Sequence, residues 1–160
     1  MKTLVKPAAP ADILKPQGCT NLKLRQLTRR VTQYYDVEVG KTGLKITQYS
    51  LLSHVVKLGP LRAVDLAARM RVSTSTLSRN LQPLIAKGWL EVNAGEDARS
   101  RLISATDAGH SKRTEAQRKW RIAQEGINAT LGIERVLALH ALIDESLELL
   151  SPLEAEDDES

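Results

Sequence analysis

The sequence predicts a mainly α-helical fold carrying one small β-hairpin. Apolar residues recur at spacings of three and four over most of the chain, the period of a helix with one buried face. Only around residues 89–104 does the pattern change, to two short alternating runs separated by a polar loop. Aromatics make up 3% of the chain and Phe is absent, so the core is built from the aliphatic side chains that pack helices. At 160 residues and 42% apolar, the chain suits one domain with extensions.

Residues 1–17 read as a flexible arm, rich in Pro and Ala with three Lys. A helix is expected from Thr20 to Val39, with Leu24, Leu27, Val31 and Tyr34 or Tyr35 on one face and Gly40 and Gly43 ending it. Thr47 is expected to cap the next helix, whose apolar set is Leu51, Leu52, Val55, Val56 and Leu58; Gly59-Pro60 stops it. Residues 62–71 form a short helix carrying Leu66, Ala67 and Met70. Ser73 then caps a helix over 74–87. After Gly88, Trp89–Val92 and Arg101–Ser104 alternate as paired strands around a charged tip at 94–100.

From Thr106 onward the pattern is helical to about residue 150. Ala116, Trp120, Ala123, Ile127 and Leu131 form one series, and Val136, His140, Ile143, Leu147 and Leu150 a heptad-like seam. Leu137, Leu139, Leu142 and Leu149 widen that face beyond what one partner helix covers, and a monomer would leave it wet. A homodimer joined through the helices at 107–150 is expected.

Two helices around a tight turn followed by a hairpin make a winged helix-turn-helix, here spanning 47–106. On a wheel of about 100° per residue, Leu81 and Leu84 fall within about 40° of Leu77 and define a buried face. Ser75, Arg79 and Gln82 lie opposite, at roughly 160°, 200° and 140°. A helix selected only for stability favours Glu, Lys and Ala over such a run of hydroxyls. Arg paired with guanine, Gln with adenine, and Ser or Thr with phosphates or bases is the chemistry of a major groove. Ser73, Thr74, Ser75, Thr76, Ser78, Arg79 and Gln82 are therefore candidate contacts to double-stranded DNA. Arg99 and Arg101 on the hairpin join them, Arg99 aimed at a minor groove. Pro83 deletes the backbone bond to the Arg79 carbonyl, and a bend is expected there.

Charge agrees. The net charge is +4, but residues 144–160 hold eight acidic side chains and no Lys or Arg. The 23 basic residues of the rest face 11 acidic ones, a body of about +12 suited to a polyanion. Residues 151–160 read as a flexible acidic tail, with competition against DNA for the basic surface as the sharper alternative.

The stretch resembles the MarR family of bacterial transcriptional regulators. The resemblance rests on Leu66-Ala67, Ser75-Thr76-Leu77-Ser78-Arg79, Gly88-Trp89-Leu90, the wing Asp97-Ala98-Arg99-Ser100-Arg101, and Thr106-Asp107-Ala108-Gly109. Gly43-Leu44 and Thr47-Gln48-Tyr49 extend it, over about Thr20 to Leu150. It implies an obligate homodimer in which the terminal helices of both chains, at 20–40 and 107–150, interlock. Each reading helix sits in a major groove of a pseudo-palindromic operator, and repression is relieved by a small ligand or by oxidation.

Two effector readings follow. In one, an anionic aromatic ligand binds between the dimer helices and the winged domain, with Arg25, Arg29, Arg30, Tyr34, Tyr35 and His54 as polar lining. In the other, Cys19 is a redox switch near the start of the first helix, where the dipole favours thiolate. Organic-hydroperoxide sensors of the family also place a Cys near that point, with a Tyr before the Gln-Tyr pair; here Ile46 stands in that place. A third alternative is a winged helix that binds protein rather than DNA.

Other classes find no footing. His54, His110 and His140 lack metal-ligand spacing, and no Gly-rich phosphate loop or nucleophile elbow is present, so neither an enzyme nor a cofactor is expected. No apolar run approaches the ~20 residues of a membrane span. Lys6, Pro7, Pro10, Asp12, Lys15 and Pro16 interrupt any secretory leader, and Pro-Gln-Gly-Cys lacks the apolar run that precedes a lipid-modified Cys. With a single cysteine, a cytoplasmic location is the expectation.

Overall fold

The computed structural model describes residues 16–95 and 100–151. The arm to residue 15, the wing tip with Arg99, and the tail from 152 lie outside them. The order is α1 (Thr20–Val39), a 3-10 turn (Gly40–Thr42), α2 (Ile46–Leu58), β1 (Leu61–Arg62), α3 (Ala63–Met70), α4 (Thr74–Ala86), β2 (Leu90–Ala94), β3 (Arg101–Ala105), α5 (Asp107–Leu131) and α6 (Ile133–Leu150). This is a winged helix-turn-helix, α2 to β3, set between long terminal helices.

Glycine and proline punctuation explains most element ends. Gly43 adopts φ 81° after the turn that closes α1, and Gly88 adopts φ 72° between α4 and β2. Both are left-handed conformations that side chains resist. The start of α2 differs from expectation. Lys45, not Thr47, is the N-cap residue, and Lys carries no acceptor for the free amides. Acceptors come from elsewhere: Gln48 Oε1 takes the Lys45 N–H at 2.9 Å, and Asp36 Oδ1 of α1 takes the Ile46 N–H at 2.7 Å.

The hairpin gains a third strand that the sequence did not announce. β1 pairs with β3 through Leu61↔Ile103 and Arg62↔Leu102, giving an antiparallel sheet in the order β1-β3-β2. β2 pairs with β3 from Leu90↔Ala105 to Ala94↔Arg101. The core lies between α2, α3, α4 and this sheet: Leu44, Leu51, Leu52, Leu66, Leu77, Leu84 and Leu90 are fully buried. Leu58, expected in the α2 apolar set, is exposed.

The start of α5 is bolted to the turn between α4 and β2. Thr106 Oγ1 accepts from the Gly109 N–H at 3.0 Å and donates to the Gly88 carbonyl at 2.7 Å. Gly109 is obligatory because a Cβ there would lie 2.0 Å from the Trp89 carbonyl oxygen. Lys112 sits over the Trp89 ring at 5.3 Å and donates to the Thr42 carbonyl. α5 also packs along α1, where Gly126 admits the Tyr34 hydroxyl.

Gly132, at φ 83°, breaks the C-terminal helical stretch in two, and α5 and α6 meet at 102°. Of the α6 seam only Val136 is buried; His140, Ile143, Leu147 and Leu150 are exposed, as are Leu137, Leu142 and Leu149. Leu24 and Leu27 of α1 are exposed too. Among the described residues no single helix is long and apolar enough to cross a membrane.

Candidate nucleic-acid interface

α4 is positioned by its buried stripe and by its cap. Leu77, Leu81 and Leu84 fill the core, which turns Ser75, Ser78, Arg79 and Gln82 outward, all exposed. Ser73 Oγ accepts from the Thr76 N–H at 3.2 Å and donates to Thr76 Oγ1 at 2.9 Å. Ser73 and half-buried Thr76 thus shape the helix start, while exposed Thr74 flanks the outward face. Pro83 stands inside a helix that continues to Ala86. Arg101 is exposed at the start of β3, beside the wing tip, and Arg99 lies outside the described residues.

The expected ligand residues divide. A cavity of about 720 Å³ opens between α1, α2, α3 and α5, lined in part by Tyr35 and His54. Arg25, Arg29 and Tyr34 do not line it. Arg25 is exposed on α1; Arg29 and Arg30 border a separate groove with Gln26 and Gln33; Tyr34 is turned toward Gly126. The reason is angular: Tyr34 and Tyr35 are a residue apart, about 100° around the helix. Cys19 is exposed just before α1.

The cavity's cations come instead from Lys57, Arg69 and Arg113, and no Asp or Glu is among its lining residues. Arg113 donates from one terminal nitrogen to Gln117 Oε1 at 2.8 Å, but its buried Nε has no partner, nor has the buried Ser53 Oγ. Such unpaired polar atoms cost about 1–3 kcal/mol each. Tyr49 and Trp120 stack with centroids 6.2 Å apart and form an aromatic wall. His54 Nδ1 meets the Ser50 carbonyl at 2.8 Å, so Nδ1 carries the proton and Nε2 remains an acceptor when the ring is neutral. Burial pushes the Tyr35 phenol up from its usual range, keeping it a donor to Gln124 Oε1 at 2.5 Å. Arg113, Gln117 and Trp120, spaced four and three apart, share one stripe of α5; that spacing was the available signal for the residues the sequence reading missed.

A sequence model of the MarR family matches residues 42–100. The M. tuberculosis transcriptional regulator MosR, solved in complex with DNA, is 32% identical, with a TM-score of 0.67 over 81% of this chain and 98% of that one. The chain belongs to the MarR family. An uncharacterized HTH-type transcriptional regulator of Bacillus subtilis, YwoH, is 25% identical over 90 residues, 56% of this chain and 66% of that protein, just under two thirds of its length. The S. aureus MepR–DNA complex aligns with a TM-score of 0.72 over 84% of this chain and all of MepR, and at 17% identity it shows the fold alone.

In this MarR-family chain the motifs behind the resemblance have structural reasons. Gly88-Trp89 and Thr106–Gly109 are two halves of one joint, and Leu66-Ala67 fills the core beneath α4. Arg62, at the start of α3, is paired with Asp65 at 2.9 Å and holds that carboxyl below its usual range.

Proposed function

We propose that the protein binds a pseudo-palindromic operator as a homodimer, represses transcription there, and is released by a small anionic aromatic ligand. The carrying observation is the outward face of α4: Ser75, Arg79 and Gln82 stand exposed opposite a fully apolar stripe. Two such helices on a two-fold axis read half-sites about one helical turn, ~34 Å, apart. The unpartnered apolar side chains of α1 and α6 support the dimer, and DNA-bound MosR, similar along nearly its whole length, supports the operator. The setting is cytoplasmic. Selection of bound sequences from a random duplex pool tests this reading: two-fold related half-sites are expected, and an enriched pool without symmetry would overturn the dimeric operator.

The ligand reading rests on the cavity between α1, α2, α3 and α5. Its cationic lining suits a carboxylate, and its Tyr49–Trp120 wall suits a ring. A ligand there touches both α3 of the winged domain and α5 of the dimer arm, so it biases their relative placement. Benzoate is expected to weaken operator binding and neutral benzamide to leave it unchanged; equal effects of the two would remove the anion from the proposal.

A further inference from the structure

Beside the reading face lies a second, smaller cleft of about 210 Å³, between the start of α2 and the outward side of α4. Its polar rim is Lys45, Thr47, Arg79 and Asn80, and Pro83 adds an apolar wall. We propose that this cleft seats a backbone phosphate of the bound DNA, with Lys45 and Thr47 as phosphate contacts and Pro83 packed against the adjoining deoxyribose. The inference rests on the operator-binding reading above and extends it to α2, an element outside the helix-turn-helix pair and the wing.

Three observations carry it. The cleft is continuous with the reading face, because Arg79 belongs to both. Its charge is right: Lys45 and Arg79 are both exposed and neither has a carboxylate partner, since the ion pairs among the described residues are Lys41–Glu38, Arg62–Asp65 and Lys112–Glu115. Asp36, the carboxylate that reaches this end of α2, is held on the Ile46 amide at 2.7 Å. Gln48 takes the Lys45 amide, so the Lys45 and Ile46 amides are both satisfied, and the charges at the seat are those of the Lys45 and Arg79 side chains. Third, Pro83 becomes intelligible. A proline inside a helix costs stability and removes an N–H, yet here it stands exposed in the same cleft lining as Arg79. A rigid apolar ring without a polar hydrogen suits a sugar edge. Most protein–DNA hydrogen bonds go to phosphate and sugar and set register rather than sequence.

The test is fluorescence anisotropy with the DNA selected from the random pool, measured from about 50 to 200 mM salt. Lys45→Ala is expected to weaken binding to every sequence alike and to flatten the log–log salt slope by about 1 per lost phosphate contact, so about 2 for a dimer. Thr47→Ala is expected to weaken binding with the slope kept. Pro83→Ala is expected to raise the melting temperature while lowering affinity, opposite signs that a purely structural proline would not give. A wild-type slope in Lys45→Ala would overturn the phosphate seat, and so would an altered base preference in that variant. If the wild-type protein binds no DNA from the pool, the operator reading falls and takes this inference with it.

Discussion

Arg79 and Arg113 are both arginines on helices, yet their surroundings assign them different work. Arg79 is exposed, opposite the buried Leu77 and Leu81, where its fork can meet guanine O6 and N7. Arg79→Ala is expected to cost about 1–3 kcal/mol of operator affinity and to relax choice at one base pair of each half-site. Competition binding against single-base operator variants measures this; a uniform loss across all variants would make Arg79 a phosphate contact instead. Arg113 is half-buried, with Nε unpartnered in the cavity below α2. Arg113→Gln keeps a polar side chain but removes the charge. It is expected to leave operator affinity within about twofold of wild type, since Arg113 stands on α5, apart from the exposed face of α4, and distant sites couple weakly. The same variant is expected to abolish release by benzoate. Loss of DNA binding itself in Arg113→Gln would show that the side chain supports the fold rather than a ligand.

At the scale of elements, the joint between α5 and the α4–β2 turn sets how α5 meets the winged domain. Gly109→Ala drives a methyl to within 2.0 Å of the Trp89 carbonyl oxygen, backbone that cannot swing aside. Overpacking of this kind costs typically 1–3 kcal/mol, so a melting temperature lowered by several degrees is expected, and an unchanged one would mean the joint can slide. Helices were legible in the sequence because their signals are local. Leu77, Leu81 and Leu84 show their period within one segment, and Gly40, Gly43, Gly59-Pro60 and Gly88 punctuate neighbouring ends. β1 was not legible: two residues have no period, and only pairing of Leu61 with Ile103, 42 positions away, makes them a strand. The cap of α2 escaped for the same reason, since Asp36 reaches it from α1. The break at Gly132 was hidden because apolar spacing resumes on both sides of it, and only the φ of 83° separates α5 from α6. The exposed polar face of α4 could be derived from one helical wheel, whereas the cavity lined by Tyr35 and His54 needed four elements brought together in space.

For the whole molecule, the terminal helices decide the state in solution. Leu137 and Leu142 are each 62% exposed, Leu149 73%, and Leu22 and Leu24 of α1 about half. Side chains of this size each contribute roughly 1.5–3 kcal/mol when fully buried, which favours association through these exposed helices. The body's positive charge, about +12 without the last 17 residues, opposes association only weakly at physiological salt, where fields decay over roughly 8 Å. A dimer at micromolar concentration is therefore expected in sedimentation equilibrium. The double variant Leu137→Glu/Leu142→Glu places charges that the interface would have to desolvate, and it is expected to sediment as a monomer. Because the substituted positions are exposed in the single chain, its far-ultraviolet dichroism should stay helical apart from local loss in α6. Affinity for a full operator should drop by far more than affinity for an isolated half-site, since each chain then binds without the effective concentration supplied by its partner. A wild-type protein that sediments as a monomer, or a double variant that stays dimeric, would move the two-fold axis away from α6 and with it the spacing of the two reading helices.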